Sequence, residues 1–226
     1  LYSGVGHTPV RTLELEGGAT LHLKMECRNA MGGSHYSRYW VPYLFLAESL
    51  GAIEPGGTRL VEVTSGNSGL TLALAAKPLG YDVTLLAPSI LPEKRVQPIR
   101  DAGAEVIVVE GYVKECVGQM RRLLASGNYF TPNHSEERTD LLVHAMRRVS
   151  LEYLRDHPAP DSVFAALGNG CSTVGILKPF MERHLGTGRH VYWPAKSFDT
   201  PVVGLMIQEV DLRHISLAQA MGRNHA

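Results

Sequence analysis

The segment that decides the fold reads RLVEVTSGNSGLTLALAAKPLG and spans residues 59–80. Its first five residues, Arg59–Val63, have the length and composition of a buried strand, and residues 66–79 have the apolar content of a buried helix that Gly80 ends. Six small or polar residues, 64–69, separate the two. A strand that passes through a short glycine turn directly into a helix is the repeating unit of parallel α/β proteins.

The same unit recurs along most of the chain, with short connections between strand and helix. We predict strands at residues 21–25, 59–63, 82–87, 105–109 and 162–167, and helices at 40–50, 66–79, 92–102, 114–125 and 139–155. Because crossovers between parallel strands are right-handed, this order predicts an α/β fold with a mostly parallel sheet. Ligands of such sheets bind beyond the carboxyl ends of the strands, so the loops after strands are the first candidates for a site.

Composition excludes several classes of function. The chain has 226 residues, 44% of them hydrophobic, with 22 basic and 22 acidic side chains, so it offers no basic field for nucleic acid or an anionic membrane. No apolar run reaches the length of a membrane span, and the first residues lack a signal-peptide pattern. Three widely spaced cysteines favour a reducing, cytoplasmic setting over a disulfide framework. The ten histidines are scattered without ligand spacing, so no metal site is predicted.

Three glycine-containing loops have the residue types that bind small anions. The first is the 64–69 turn, where hydroxyls, glycines and the start of a helix suit a carboxylate or phosphate; its predicted substrate-binding residues are Thr64, Ser65, Gly66, Asn67 and Ser68. The second is the 168–173 turn, whose predicted phosphate-binding residues are Gly168, Asn169, Gly170, Cys171 and Ser172. The third, the 29–38 loop, contains Ser34 as a candidate N-cap and Arg38 as a candidate partner for an anion. Each pattern also fits an ordinary helix cap.

The three loops in this order resemble the cysteine-synthase branch of the fold-type-II pyridoxal-phosphate enzymes. The opening segment, residues 6–10, is similar to the family's first motif, and the resemblance extends to about residue 176. It implies a tryptophan synthase beta-like fold with two lobes, each a three-layer α/β/α arrangement. It also implies pyridoxal phosphate as cofactor, an amino acid substrate and a homodimer. By the same resemblance, Asn67 lies beside the cofactor's 3-hydroxyl, and the 168–173 turn holds its phosphate.

Two of the three loops depart from the family's pattern. The 29–38 loop has one extra residue, and Tyr36 stands where the family has the lysine that forms an imine with the cofactor; Ser37 replaces the aspartate that follows. Cys171 replaces a glycine of the phosphate turn. Tyrosine cannot form the imine and, with an ordinary pKa of about 10, is a weak base at neutral pH. Loss of positioned acid–base catalysis commonly costs about 10² to 10⁴ in rate. We therefore name Tyr36 and His35 as the candidate proton-transfer residues.

The resemblance also suggests how the chain is divided and what it does. Residues 1–38 form an N-terminal segment that crosses to the large lobe, 39–138 a small lobe with the carboxylate turn, and 139–226 the large lobe with the phosphate turn. The first hypothesis is a lysine-free, cysteine-synthase-like enzyme that catalyses β-elimination or β-replacement on an O-activated serine. The second is an enzyme on the same fold that works without pyridoxal phosphate. The third is a non-catalytic partner protein that binds a peptide C-terminus in the cleft.

Overall fold

The chain forms two compact units, as seen in a computed structural model that describes residues 4–132, 139–166, 170–184, 190–195 and 206–211. Contacts between Cα atoms assign Leu1–Asn133 to the first unit and His134–Ala226 to the second. The three-part division predicted from the sequence stays a prediction.

The first unit opens with an antiparallel hairpin. Strand β1, Val10–Glu14, pairs with β2, Thr20–Lys24, so that Val10 lies opposite Lys24. A 3-10 turn, Glu26–Arg28, and the single turn α1, Ala30–Gly33, then lead into helix α2, Ser37–Ser49. The first half of α2 is buried, including the large rings of its aromatic cluster, Tyr39, Trp40 and Tyr43.

A three-stranded parallel sheet forms the centre of the first unit. Its strand order is β3-β4-β5, and its elements are β3 (Arg59–Val63), α3 (Asn67–Ala76), β4 (Asp82–Pro88), α4 (Glu93–Asp101), β5 (Glu105–Val109) and α5 (Val113–Ala125). Six of the seven residues of β4 are buried, because this middle strand is covered by side chains on both faces. Val61, Leu86, Cys116 and Met120 form a fully buried cluster that joins the sheet to α5.

The sheet places the 64–69 turn at the carboxyl edge of β3. The backbone N–H of Thr64 donates to the carbonyl of Leu86 at 2.9 Å, which continues the β3–β4 ladder by one residue before the chain turns. Beyond this bond the chain leaves the sheet and enters α3. The turn therefore lies where parallel sheets bind their ligands.

The second unit contains two packed helices and a hairpin. Helix α6, Thr139–Asp156, packs against α7, Cys171–His184, and the carboxylate of Glu182 accepts two hydrogen bonds from Arg147, at 2.7 and 2.8 Å. The hydroxyl of Ser150 donates to the carbonyl of Ile176, which ties the helices together again. Strands β6, His190–Ala195, and β7, Met206–Asp211, pair antiparallel.

Most elements predicted from the sequence are confirmed, and one is wrong. Strands β3 and β5 have the predicted bounds, and each predicted helix overlaps an observed one. The strand predicted at 162–167 is not formed over residues 162–166, and residue 167 lies outside the described residues. Phe164 in this run is 60% exposed, and no described strand lies beside it to complete a ladder. An apolar run without a pairing partner does not make a strand.

Candidate active site

The 64–69 turn is held in shape by the side chain of its first residue. Thr64 is buried, with 2% of the residue exposed. Its hydroxyl oxygen accepts hydrogen bonds from the backbone N–H groups of Gly66 at 3.0 Å and Gly69 at 2.9 Å. A Cβ at Gly69 would lie 2.6 Å from that oxygen, so only glycine fits there. Gly66 has φ +131° and ψ −88°, a conformation that side chains rarely tolerate. Thr64 therefore acts as an internal brace of the turn.

The remaining predicted substrate-binding residues divide into buried and exposed ones. Ser68 is buried, and its hydroxyl oxygen accepts a hydrogen bond from the indole N–H of Trp40 at 3.1 Å. Ser65 and Asn67 are exposed at the start of α3. The first amides of a helix lack partners within the helix and carry the positive end of its dipole. Ser65, Asn67 and these amides thus offer an anion-binding surface.

The 29–38 loop packs directly on this turn's helix. Met31, Gly32 and Gly33 all have positive φ, at 59°, 83° and 59°. A Cβ at Gly32 would lie 3.3 Å from the side chain of Leu70 and 3.5 Å from that of Leu74, both on α3. This contact and the Trp40–Ser68 hydrogen bond place the 29–38 loop, which contains Tyr36, close to the 64–69 turn, which contains Asn67.

His35 and Tyr36 lie side by side at the start of α2. Their ring centroids are 4.3 Å apart with the planes tilted by 31°, and the Tyr36 backbone N–H donates to the Ser34 hydroxyl at 3.3 Å. Burial lowers the pKa of His35 below 6.5, the charge of Glu26 opposes that shift, and the charge of Arg38 adds to it. The neutral imidazole, which can accept a proton, is the favoured form at neutral pH. The N-cap position of α2 itself is Tyr36, which makes no side-chain capping bond, so the Ser34 hydroxyl caps the turn that leads into the helix.

Arg38 binds a carboxylate of its own chain. Its guanidinium donates two hydrogen bonds to Glu26, each 2.8 Å long, and the residue is 2% exposed. The candidate role of Arg38 as partner of a bound anion is therefore wrong, because its charge is already neutralised in the interior. Sequence reasoning missed the pairing, since Glu26 precedes the loop and lies 12 residues from Arg38.

Arg95 is a second residue near the site that sequence reasoning missed. It is on α4, and its Nη1 atom lies 3.4 Å from the carbonyl oxygen of Ser65. Its Cδ atom is 3.5 Å from the place where a Cβ would stand on Gly66. A guanidinium beside the 64–69 turn adds positive charge to the anion-binding surface. The residue comes from the next strand–helix unit, so no local motif reveals its position.

Part of the predicted phosphate turn is described in the second unit. Gly168 and Asn169 lie outside the described residues, while Gly170 has φ +93° and immediately precedes α7. Cys171 is buried in the first turn of that helix, and burial raises its thiol pKa. Ser172 is half-buried, and the hydroxyl of the next residue, Thr173, donates to the carbonyl of Ala166 at 2.6 Å.

Other chemistry finds little support among the described residues. No group of three or more His, Cys, Asp or Glu side chains there is placed to hold a metal ion. None of the described helices is both long and apolar enough to cross a bilayer. The Lys24 amine donates to the Thr8 carbonyl at 2.5 Å and so is engaged in the N-terminal segment.

A parallel sheet with a glycine turn at its carboxyl edge, at the start of a helix, places the chain in the α/β class of proteins. The chain belongs to the pyridoxal-phosphate dependent enzyme family, whose model matches residues 1–214. It is 33% identical over 204 residues to cysteine synthase A of Escherichia coli strain K12, and this match covers 88% of the chain. It is 29% identical over 187 residues to a cysteine synthase of Staphylococcus aureus strain Mu50, which covers 80%.

A solved structure confirms the fold. A hydrogen sulfide-producing enzyme from Fusobacterium nucleatum superimposes with a TM-score of 0.73 at 25% identity, over 84% of this chain and 64% of that one. The predicted α/β, tryptophan synthase beta-like fold class is thereby confirmed, and pyridoxal phosphate is the cofactor of the family to which the chain belongs. The chain spans 62% of the E. coli protein and 59% of the S. aureus protein.

Proposed function

We propose that this chain binds pyridoxal phosphate and an amino acid in a cysteine-synthase-like site without a covalent bond to the cofactor at position 36. The single observation that carries the proposal is the packing of the 29–38 loop on α3, at the turn with the exposed Ser65 and Asn67. The reaction we assign is β-elimination or β-replacement on an O-activated serine. Homodimer assembly stays a prediction from the resemblance, and a cytoplasmic location stays a prediction from the cysteine content.

The residues present fit the non-covalent parts of the cofactor's site. Gly66 and Gly170 each precede a helix start with positive φ, so that backbone amides are presented to an anion at α3 and at α7. We assign the amino acid carboxylate to the 64–69 turn, and the cofactor's phosphate to residues 168–172. When bound, the cofactor supplies an electron sink that stabilises negative charge at the substrate's α-carbon. Covalent attachment at position 36 does not fit, because tyrosine has no amine.

Proton transfer falls to His35 and Tyr36 in this proposal. The lowered pKa of His35, caused first by its burial, keeps a ring nitrogen ready to accept the α-proton at neutral pH. The Tyr36 ring lies against the imidazole, so its hydroxyl is tethered near the same place. A neutral imidazole and a phenol hydroxyl form an acid–base pair that works without an amine.

The test compares three proteins that differ only at position 36. We expect the wild-type chain to retain pyridoxal phosphate in equilibrium dialysis and to show a change of its visible absorbance when O-acetylserine is added. Borohydride treatment should leave the wild-type mass unchanged. It should add one cofactor mass to Tyr36→Lys and none to Tyr36→Phe. If the wild type does not retain the cofactor, the proposed function is wrong, whether or not Tyr36→Lys retains it.

The His35–Tyr36 pair also supports a second candidate, a lysine-free reaction on another phosphorylated or carboxylated metabolite. The pair does not require the cofactor, and the anion-binding turns are equally suited to such a ligand. Mass spectrometry of the small molecules released from purified protein separates the two candidates. Recovery of pyridoxal phosphate at full occupancy contradicts the second, and a different anionic metabolite at full occupancy supports it.

A further inference from the structure

The carboxylate of Glu26 collects hydrogen bonds from three separate parts of the first unit. Arg38 on α2 donates two bonds of 2.8 Å, and the Thr8 hydroxyl donates one of 2.6 Å. The side-chain amide of Asn29 donates another at 2.6 Å, and the Lys24 amine lies 3.8 Å away. Such a concentration of donors around one largely buried carboxylate forms a connected polar network, which fixes side chains strongly when all members are satisfied.

The network brackets the segment that contains the two proposed proton-transfer residues. Asn29 lies before that segment and Arg38 after it, and both are held by the same carboxylate. Asn29 is also fixed from its other side, because its side-chain oxygen Oδ1 accepts a hydrogen bond from the backbone N–H of Gly6 at 2.8 Å. The segment between the two residues includes three consecutive positive φ angles, so its conformation needs support from outside.

We propose that Glu26 is the positioning residue for His35 and Tyr36: it clamps both ends of their loop and sets the electrostatic environment of the imidazole. The inference rests on the proposed function only in taking His35 and Tyr36 as the reacting groups. Glu26 itself touches neither a substrate nor a cofactor in this scheme. It acts through Arg38 and Asn29, and through its charge.

The charges that act on His35 have opposite signs, which gives a distinctive prediction. The charge of Glu26 raises the pKa of His35 and that of Arg38 lowers it, the former effect being the larger, while burial lowers it more than either. Removing only the carboxylate exposes the imidazole to an unopposed guanidinium. Removing both charges leaves burial as the only one of these three effects on the pKa of His35. We therefore expect the His35 titration midpoint to be highest in the wild type, lower in the double variant Glu26→Gln/Arg38→Met, and lowest in Glu26→Gln.

The experiment is an NMR titration of the full chain without cofactor or substrate. The His35 ring signal is assigned by its disappearance in His35→Gln. The matched control is Glu93→Gln, which removes an exposed glutamate that pairs with Arg100 on α4, away from the 29–38 loop. We expect Glu93→Gln to leave the His35 midpoint at the wild-type value, and Thr8→Val, which keeps both charges, to change it less than Glu26→Gln does.

Hydrogen exchange tests the clamp separately from the charge. In the double variant, amides of residues 32–36 should exchange at least about tenfold faster than in the wild type, while amides of β4 keep their rates. Glu26→Gln leaves the buried charge of Arg38 without its carboxylate, and the single variant fails to fold if that cost is too large. In that case the double variant still tests the proposal, because its His35 must titrate below the wild-type midpoint.

Three results would overturn the proposal: an unchanged His35 midpoint in the double variant, a double-variant midpoint below that of a folded Glu26→Gln, or unchanged exchange over residues 32–36. Because no measurement here uses turnover or cofactor, a protein with this titration order but no activity would contradict only the proposed function.

Discussion

At the scale of single residues, Met31 holds a conformation that methionine rarely adopts. Its φ of 59° and ψ of 71° lie near the left-handed region, which costs a residue with a Cβ roughly 1–2 kcal/mol. Met31→Gly should therefore raise the free energy of unfolding by about 0.5–1 kcal/mol, after the greater flexibility of glycine in the unfolded chain is subtracted. Urea denaturation measures this change.

Two glycines with positive φ provide the comparison for Met31. Gly33→Ala should destabilise by more than about 2 kcal/mol, because its Cβ would lie 2.8 Å from the Cys27 carbonyl oxygen at a φ of +59°. Gly18→Ala, with φ +81° and no atom within 4 Å, should cost only the backbone strain, about 1 kcal/mol. A loss of stability in Met31→Gly would mean that the packing of the methionine side chain outweighs its strain.

Two titrating groups of the site predict how stability depends on pH. Burial lowers the pKa of His35 below 6.5, so the folded chain binds fewer protons there than the unfolded chain. Stability from this residue is therefore full above pH 6.5 and falls as the pH drops through the folded pKa. Burial alone would raise the pKa of Glu26, but its hydrogen bonds and the nearby Arg38 and Lys24 charges hold that pKa below 4.5. The contribution of Glu26 to stability is therefore lost only as the pH falls below 4.5.

His35→Gln should accordingly flatten the loss of stability between pH 6.5 and pH 4.5, because in this range the unfolded chain's histidine takes up a proton more readily than the buried ring, while Glu26 stays ionised. Urea unfolding of the first unit at a series of pH values measures the slope. His7→Asn is the matched control, because it removes an exposed histidine of the same unit at a φ of 50° that asparagine tolerates. An unchanged slope in His35→Gln would show that this ring does not titrate differently on unfolding.

At the scale of elements, the strand–turn–helix unit depends on one hydroxyl. Thr64→Val keeps the shape of the side chain but removes the acceptor of the Gly66 and Gly69 amides. We expect a loss of about 1–3 kcal/mol for the unsatisfied buried groups and faster exchange of these two amides. Thr64→Ser retains the oxygen and should restore slow exchange. Equal exchange rates in valine and serine variants would show that the glycines alone shape the turn.

The sequence alone predicts an element correctly when the residues that define it are consecutive in the chain. Strands β3 and β5 were predicted to the residue, because each is a short apolar run bounded by turn residues. Strand β1 was missed because its residues are mostly exposed and no apolar alternation marks them. The prediction of a strand at 162–167 failed over its described residues, 162–166, for the opposite reason, since these residues are mostly apolar but have no described strand to pair with.

The same distinction holds for the site. The 64–69 turn could be predicted because its residues are consecutive, and the structure adds which of them face solvent. The Glu26–Arg38 pair and the approach of Arg95 to Ser65 could not, because they join residues 12 and 30 positions apart. Nothing in the spacing of charged residues distinguishes a buried carboxylate that holds a loop from one that is solvated. Such pairings become visible only when the chain is folded.

At the scale of the whole molecule, each unit has its own stabilising contacts. The parallel sheet and the buried cluster around Val61 belong to the first unit, whereas the α6–α7 pair belongs to the second. Local opening in one unit is therefore expected to leave exchange in the other unchanged.

Gly175→Ala tests this expectation at the tightest contact of the second unit. A Cβ there would lie 2.6 Å from the Cβ of Met146 and would also meet the carbonyl of Val143, so α6 and α7 would have to separate. Overpacking of this kind costs about 1–3 kcal/mol, which corresponds to roughly ten- to hundredfold faster exchange in peptides from residues 140–183. Peptides from residues 59–109 should keep their wild-type rates.

The control for this variant is another glycine-to-alanine change inside a helix. At Gly118 on α5, no atom lies within 4 Å of the place where a Cβ would stand, so Gly118→Ala should slow exchange in α5 by favouring the helix, by about 0.5–1 kcal/mol. If Gly175→Ala speeds exchange in its helices and Gly118→Ala slows exchange in α5, each effect is explained by the packing around the substituted glycine. Faster exchange in both units of Gly175→Ala would instead mean that the two cores open as one cooperative body, and that the turns at α3 and α7 lose their shape together.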